Sequence, residues 1–224
     1  MPGSVTFDIE TIPLQSPMED WQKELFNRRV ASEVKWTGTD VNDKPAMTSL
    51  ENKVKSLSPH LGRIVCIGLL FDEEDREVGL MQESERHILE QFWEEIFYER
   101  HFISFNGLAF DVPFIITRSM LLGIKIPDIG KNDHPFLYRP RWKTKPHFDA
   151  AEWAAGWNAQ HRLPLNAWCK ATGIPSPKEG SVKASEVYQA WLDGRLEEIM
   201  EYCLRDCGTT RQFARKLIPY INQT

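Results

Sequence analysis

Five side chains in this 224-residue sequence stand where their chemistry is costly unless it is used. Asp8 and Glu10 alternate with Val5, Phe7 and Ile9. That period of two puts both carboxylates on one face of a strand. A strand built otherwise of Val, Phe and Ile belongs in the middle of a sheet, where unpaired acids are expensive to bury. Two neighbouring acids on one face resist joint ionisation unless a cation lies between them. A third acid, Asp111, ends the run Ser104-Phe105-Asn106-Gly107-Leu108-Ala109-Phe110 and falls at the start of a helix, just after a strand. Tyr202 and Asp206 are four residues apart and share one helical face with Ile199, Thr209 and Phe213. An ionised Asp on such an apolar stripe is unusual. Taken singly, each feature has a plainer explanation. Asp8 and Glu10 could end a strand in solvent, Asp111 could answer a helix dipole, and Asp206 could pair with a nearby Lys or Arg. A phosphatase of the haloacid-dehalogenase type also begins with an acid at the end of an apolar strand. Its Asp-x-Asp-x-Thr/Val pattern is not met, because Glu10 is the second acid and Thr11 comes one position early.

The elements that must hold these residues can be read from periodicity. Ser16-Pro17-Met18-Glu19 reads as an N-cap with Pro at the first helical position, so a helix of roughly a dozen residues should follow from Glu19. Residues 36–60 read as a long loop. The apolar run Ile64 to Phe71 reads as a strand buried on both faces, and Glu77 to Met81 as its returning partner. Ser84 caps a helix carrying Ile88, Leu89, Phe92 and Trp93 at helical spacing. Phe102 to Phe105 is a further strand, closed by Asn106-Gly107. Pro113 is tolerable only in the first turn of a helix, which therefore starts near Phe110. Residues 125–146 are loop-like, His147-Phe148-Asp149 is a short strand, and helices follow at about 149–157, 164–173, 184–193 and 195–217. The order predicts an α/β fold, a mixed sheet with helices packed on it, without an internal repeat or a domain boundary.

Composition narrows the class. Hydrophobic residues make up 42% and charged residues 26% of the chain, which excludes wholesale disorder. The longest apolar run is far shorter than the ~20 residues a membrane span needs, and the N-terminal segment lacks the basic and apolar parts of a secretion signal. Cys66, Cys169, Cys203 and Cys207 form no CxxC pair and read as reduced thiols, so a cytoplasmic protein is expected. The net charge of −5 is not that of an ordinary nucleic-acid binder. Acids that are metal ligands make such a sign misleading, since two divalent cations would offset most of it.

Phe7-Asp8-Ile9-Glu10-Thr11, then Asn106-x-x-x-Phe110-Asp111, then Tyr202-x-x-x-Asp206, in that order, resemble the three exonuclease motifs of the DEDD superfamily in its tyrosine-bearing branch. The resemblance spans nearly the whole chain. Leu57-Ser58-Pro59-His60-Leu61-Gly62-Arg63-Ile64 and Gly173-Ile174-Pro175-Ser176-Pro177-Lys178 are similar to the stand-alone predicted 3′–5′ exonucleases related to the proofreading domain of family-B DNA polymerases. One local departure is Gly180-Ser181-Val182-Lys183-Ala184-Ser185, where the family has an Asp-Gly-Ser turn. The resemblance implies a ribonuclease-H-like fold, a five-stranded mixed sheet flanked by helices, in a single domain over residues 1–224 with an insertion at about 16–60. It implies two-metal hydrolysis at a 3′ end, with two Mg²⁺ or Mn²⁺ ions as cofactors and single-stranded nucleic acid, DNA before RNA, as partner. Hard cations of this kind take carboxylate oxygen and water. By the same resemblance Asp8 bridges the ions, Glu10 and Asp206 complete one site, Asp111 holds the second ion, and Tyr202 positions or helps deprotonate the attacking water. Backbone at Ile9 and Thr11 would grip the terminal nucleotide, with Asn106 and Phe110 lining its pocket.

Tyr138 to His147 is the most basic segment, with Arg139, Arg141, Lys143 and Lys145 between Pro, Trp and Thr. It reads either as a strip that tracks phosphates, with Trp142 stacking a base, or as a solvated hairpin. The insertion at 16–60 reads as packing decoration or as a substrate clamp. Three other functions share much of this pattern: an RNA exonuclease with the same site, a non-catalytic binding module on the same fold, and a structure-specific endonuclease.

Overall fold

The computed structural model describes residues 3–126, 134–137, 141–175 and 182–221. Its central strand, β1 (Ser4–Pro13), is buried at every residue except Asp8, which is partly accessible. Two further strands follow as a hairpin, β2 (Gly62–Phe71) and β3 (Arg76–Leu80), and then β4 (His101–Ser104) and β5 (His147–Asp149). The sheet order is β3-β2-β1-β4-β5. β1 and β3 run antiparallel to β2, and β4 runs parallel to both β1 and β5. This is the mixed sheet that the residue pattern predicts, with the five strands that the resemblance implies, and β1 and β2 are neighbours in it.

Alternation along β1 divides the interior. Val5, Phe7 and Ile9 join Ile67, Leu69 and Phe102 in a core closed by α3 (Glu85–Glu95) and α4 (Asp111–Leu121). Ile12 lies on the opposite face, with Val65 and Cys66, under α7 (Val187–Leu192) and α8 (Leu196–Leu217). Asp8 and Glu10 share that second face by the same period of two. Beyond Glu10 the β1–β2 register slips, so that Glu10 pairs with Cys66 and Thr11 with Ile64. The extra residue, Val65, is a bulge that frees the Ile64 N–H to donate to the buried Glu85 carboxylate at 2.8 Å.

Two features of α8 bring it flush onto the sheet. Gly68 pairs with Asp8 across the β1–β2 ladder. A Cβ at Gly68 would lie 3.0 Å from Cys207 Sγ and 3.1 Å from Cys203 Sγ. Cys207 Sγ itself lies 3.4 Å from the Gly68 carbonyl oxygen. A third core cluster, with Ile103, Phe148 and Phe213, anchors the C-terminal half of α8 against β4 and β5. All four cysteines are buried and free.

Residues 36–60 are not one long loop. They contain α2 (Lys44–Ser56), which buries Leu50 and Val54 one turn apart. Its start is fixed by Asp43, whose carboxylate accepts from the Ala46 N–H at 3.0 Å, with Pro45 in the first turn. The preceding helix α1 (Asp20–Thr37) is 18 residues long and begins one residue later than expected. Its cap is Glu19, whose N–H donates to Gln22 Oε1 at 2.9 Å, in place of a cap at Ser16. α1 buries no residue, so a burial stripe gives no measure of its length. The helices predicted after β5 are present as α5 (Ala150–Ala155), α6 (Leu165–Thr172), α7 and α8. Among the described residues no helix is long and apolar enough to cross a membrane.

Candidate active site

β1 outruns its parallel neighbour. Its pairing with β4 covers Ser4 to Thr6, and β4 ends at Ser104. The backbone of β1 beyond that point therefore lacks a β4 partner. Asp111, the first residue of α4, takes the exposed donor: the Ile9 N–H donates to Asp111 Oδ1 at 3.1 Å, in a buried position. This one bond sets a carboxylate from α4 beside the strand residue that separates Asp8 from Glu10. From the other side, α8 presents Tyr202, Cys203 and Asp206. Cys203 Sγ lies 3.4 Å from the Asp8 carbonyl oxygen and 3.8 Å from Asp8 Oδ2. Ligand atoms of Asp8, Glu10 and Cys203 all lie within 4.8 Å of one another.

The electrostatics follow from this crowding. Burial first, then the Cys203 sulfur and the carboxylates of Asp111, Glu10 and Asp206, push the Asp8 carboxyl well above the ordinary range. Glu10 is raised by burial and by Cys203, Asp206 and Asp111. Asp111 is pushed up to about 8, chiefly by burial. The N–H of Ile9 acts in the opposite direction by stabilising its ionised form. Burial, and the facing carboxylates of Glu10, Asp206 and Asp8, raise the Tyr202 phenol, which is hydrogen-bonded to Asp206. A group of carboxylates that cannot all ionise together, beside a neutral phenol, fits a divalent cation: oxygen donors converge, and the missing term is positive charge.

The five catalytic candidates thus come together from β1, α4 and α8. Asp8 and Asp206 open into a cavity of about 440 Å³ that Asn106, Thr210 and Arg162 also line. The other substrate candidates separate. The Ile9 N–H is already bonded to Asp111. Thr11 Oγ1 donates to the Ser56 carbonyl at 2.9 Å, at the end of α2. The Phe110 ring packs 5.5 Å from that of Phe114 and against the core under α3 and α4. Arg141 lines a second cavity, next to the first, and Lys143 and Lys145 are exposed. Tyr138, Arg139 and the turn residues Gly180 and Ser181 lie outside the described residues.

Several residues that hold the site were not singled out by sequence. Asp149 accepts four backbone N–H groups: Asn106 at 2.8 Å, Leu108 at 2.9 Å, Ala151 at 3.1 Å and Glu152 at 3.3 Å. It ties the loop that carries Asn106 to the end of β5. The loop turns on Asn106, with φ 65°, and on Gly107, where a Cβ would lie 2.4 Å from Ser104 Oγ. An acid followed by Ala150-Ala151-Glu152 was a legible N-cap signal. Cys203 lies inside the Tyr-x-x-x-Asp motif, and Arg162 carries no local signal.

The site is thus built on a mixed α/β sheet whose central strand offers paired acids to a helix bearing Tyr and Asp. Residues 55–212 match the family described as predicted 3′–5′ exonuclease related to the exonuclease domain of PolB, and the chain belongs to that family. It is 30% identical over 184 residues to an uncharacterized protein of Methanocaldococcus jannaschii, covering 77% of this chain and 96% of that one. It is 29% identical over 146 residues to a DNA polymerase of Pyrococcus glycovorans, 61% of this chain but only 18% of the polymerase. The solved family B DNA polymerase from Pyrobaculum calidifontis superposes with a TM-score of 0.61 at 18% identity, over 97% of this chain and 24% of that chain. That likeness shows the fold, which is ribonuclease-H-like as the motifs implied.

Proposed function

We propose that the protein is a metal-dependent 3′–5′ exonuclease that removes 5′-mononucleotides from single-stranded DNA. The observation that carries this reading is the convergence of Asp8, Glu10, Asp111, Tyr202 and Asp206 at the open end of β1. Asp8, Glu10 and Asp206 would hold one divalent cation, Mg²⁺ or Mn²⁺, and Asp8 with Asp111 a second. Two such ions, when bound, activate water and stabilise both the attacking and the leaving oxygen of phosphodiester hydrolysis. The side chains supply the rest. The Ile9 N–H holds the Asp111 carboxylate against β1, close enough to Asp8 for the two charges to oppose each other. Tyr202, its phenol raised by burial and by the acids it faces, stays protonated and orients the attacking water by hydrogen bonding without removing its proton. Asn106 sits where the terminal nucleotide would meet the cavity wall. In this reading residues 1–224 form one exonuclease domain, with α1 and α2 as an insertion.

A 5′-labelled single strand incubated with Mn²⁺ tests the reading. A ladder shrinking from the 3′ end supports it, whereas discrete internal cuts or an intact strand refute it. Parallel DNA and RNA strands decide the sugar preference. Tyr202→Phe should lower the rate about 10²-fold, the scale of a lost water-positioning or proton-transfer group, with an unchanged Mn²⁺ midpoint. A shifted midpoint at an unchanged saturated rate would instead make Tyr202 a ligand-side residue. Replacing Arg141, Lys143 and Lys145 by Ala should flatten the log–log salt dependence of strand binding by roughly 0.7 per lost phosphate contact. An unchanged slope would leave that strip as solvated surface.

A further inference from the structure

Among the described residues Arg162 is the only basic one lining the cavity that holds Asp8 and Asp206, and it also lines the neighbouring cavity of about 470 Å³. That second space is walled by Leu108, Ala109, Arg141, Glu152, Trp157 and Arg162. The two cavities therefore meet at one guanidinium. Its Nη1 donates to Asn106 Oδ1 at 3.4 Å, and its Nη2 pairs with Glu152. Glu152 is buried. The buried carboxylate anchors the guanidinium on the wall the two cavities share. Beside it the Trp142 and Trp157 rings lie 4.3 Å apart, and Trp142 is 62% exposed. Both tryptophans have positive φ, 64° and 58°. Bulky residues rarely hold that conformation unless the surroundings impose it, and such strain collects at binding sites.

We propose that the second cavity is a subsite for the nucleotide immediately upstream of the 3′-terminal one, with Arg162 on the phosphate between them and the upstream base on the Trp142–Trp157 pair. The inference rests on the exonuclease reading of the acid cluster and adds the path of the strand. A phosphodiester approaching clustered carboxylates needs a cation at the entrance, and the planar guanidinium fork suits phosphate oxygens. Every base offers a face to an aromatic ring, so the stack tolerates any sequence. Arg141, across the cavity, is placed for the next phosphate.

The test is equilibrium binding of 5′-fluorescein oligothymidylates of one to six nucleotides, in EDTA so that no turnover intervenes, to the parent and to Arg162→Ala, Arg162→Lys and Trp142→Ala. For the parent, affinity should rise at least about tenfold from one to three nucleotides, and tryptophan emission should be quenched as the strand binds. Arg162→Ala should weaken trinucleotide binding about tenfold and lower the salt slope by roughly 0.7. Arg162→Lys should keep the slope while losing part of the affinity. Trp142→Ala should lose much of the quenching, and as an exposed residue it carries the test if Arg162→Ala fails to fold. Parent affinity that does not grow beyond one nucleotide, or variants that bind the trinucleotide like the parent with the same slope and quenching, would overturn the subsite. Digestion of a 5′-labelled strand by the parent in Mn²⁺, run alongside, separates the two ideas. No digestion sinks the exonuclease reading, whereas digestion with unaltered variant binding sinks the subsite alone.

Discussion

Asp8→Asn will degrade a 5′-labelled single strand at least about 10³-fold more slowly than the parent in saturating Mn²⁺, a loss of ~4 kcal/mol of transition-state stabilisation. Asp8 is the one residue of β1 that reaches the cavity, and it is also the acid that every other member of the cluster faces. In the proposed two-ion arrangement it would be the shared ligand, so its loss would disturb both cations at once. The isosteric amide keeps the shape of the strand and its contact with Cys203, which confines the change to charge. Loss of even an outer partner of a ligand typically costs 10- to 100-fold, and the bridging carboxylate should exceed that. Asp206→Ala should follow the same course. Activity within about tenfold of the parent, ~1.4 kcal/mol, would mean that the carboxylates do not carry the reaction.

The second large effect concerns stability. Without ions, the melting temperature should fall as pH rises from about 5 to 8. An unfolded Asp releases its proton near pH ~3.9, whereas Asp111 in the folded chain keeps its proton up to about 8. Between those values the unfolded state binds fewer protons and is favoured progressively. Each such group costs the native state about 1.4 kcal/mol per pH unit across that window. Asp8 and Glu10, also raised, act in the same direction. Asp111→Asn removes one titrating group and keeps an oxygen for the Ile9 N–H. In EDTA at pH 8 it should melt above the parent, with a shallower pH dependence, and Asp206→Asn should melt no lower than the parent. Mn²⁺ should reverse the order, because the parent binds the ions better and gains by mass action, ~2.7 kcal/mol at a hundredfold excess over Kd. Thermal melts at three pH values, with EDTA and with Mn²⁺, decide. Clear destabilisation of both Asn variants in EDTA would mark these acids as partners of buried cations in the chain itself.

The sequence was most legible where residue type and environment conflict. Acids on the strand Val5-Phe7-Ile9 and on the stripe of Ile199 and Phe213 have no cheap structural use, so Asp8, Glu10 and Asp206 stood out. The apolar strands β1 and β2 were legible for the same reason that they are central. α2 was hidden because only Leu50 and Val54 are buried, among Asn, Asp, Pro and Ser that read as loop. α1, without a buried face, gave no period to measure. Asp149 and Glu152 looked like an ordinary helix start. Arg162 acquires its meaning only from the meeting of two cavities, a property of tertiary structure with no local signature.

The close contact at Gly68 bears on how mutational maps of this protein should be interpreted. Asp8 sits on β1 and Asp206 on α8, so the spacing between them is a clearance between two bodies, and the missing Cβ of Gly68 sets it. A methyl group there meets two sulfurs at 3.0 and 3.1 Å and the backbone carbon of Cys203 at 3.4 Å. The helix would have to back away by a few tenths of an ångström, comparable with the ~0.5 Å tolerance of a preorganised site. Gly68→Ala would thus behave like a shim under one jaw of a vice. In a screen for lost activity it would score as an active-site position although it touches neither water nor substrate.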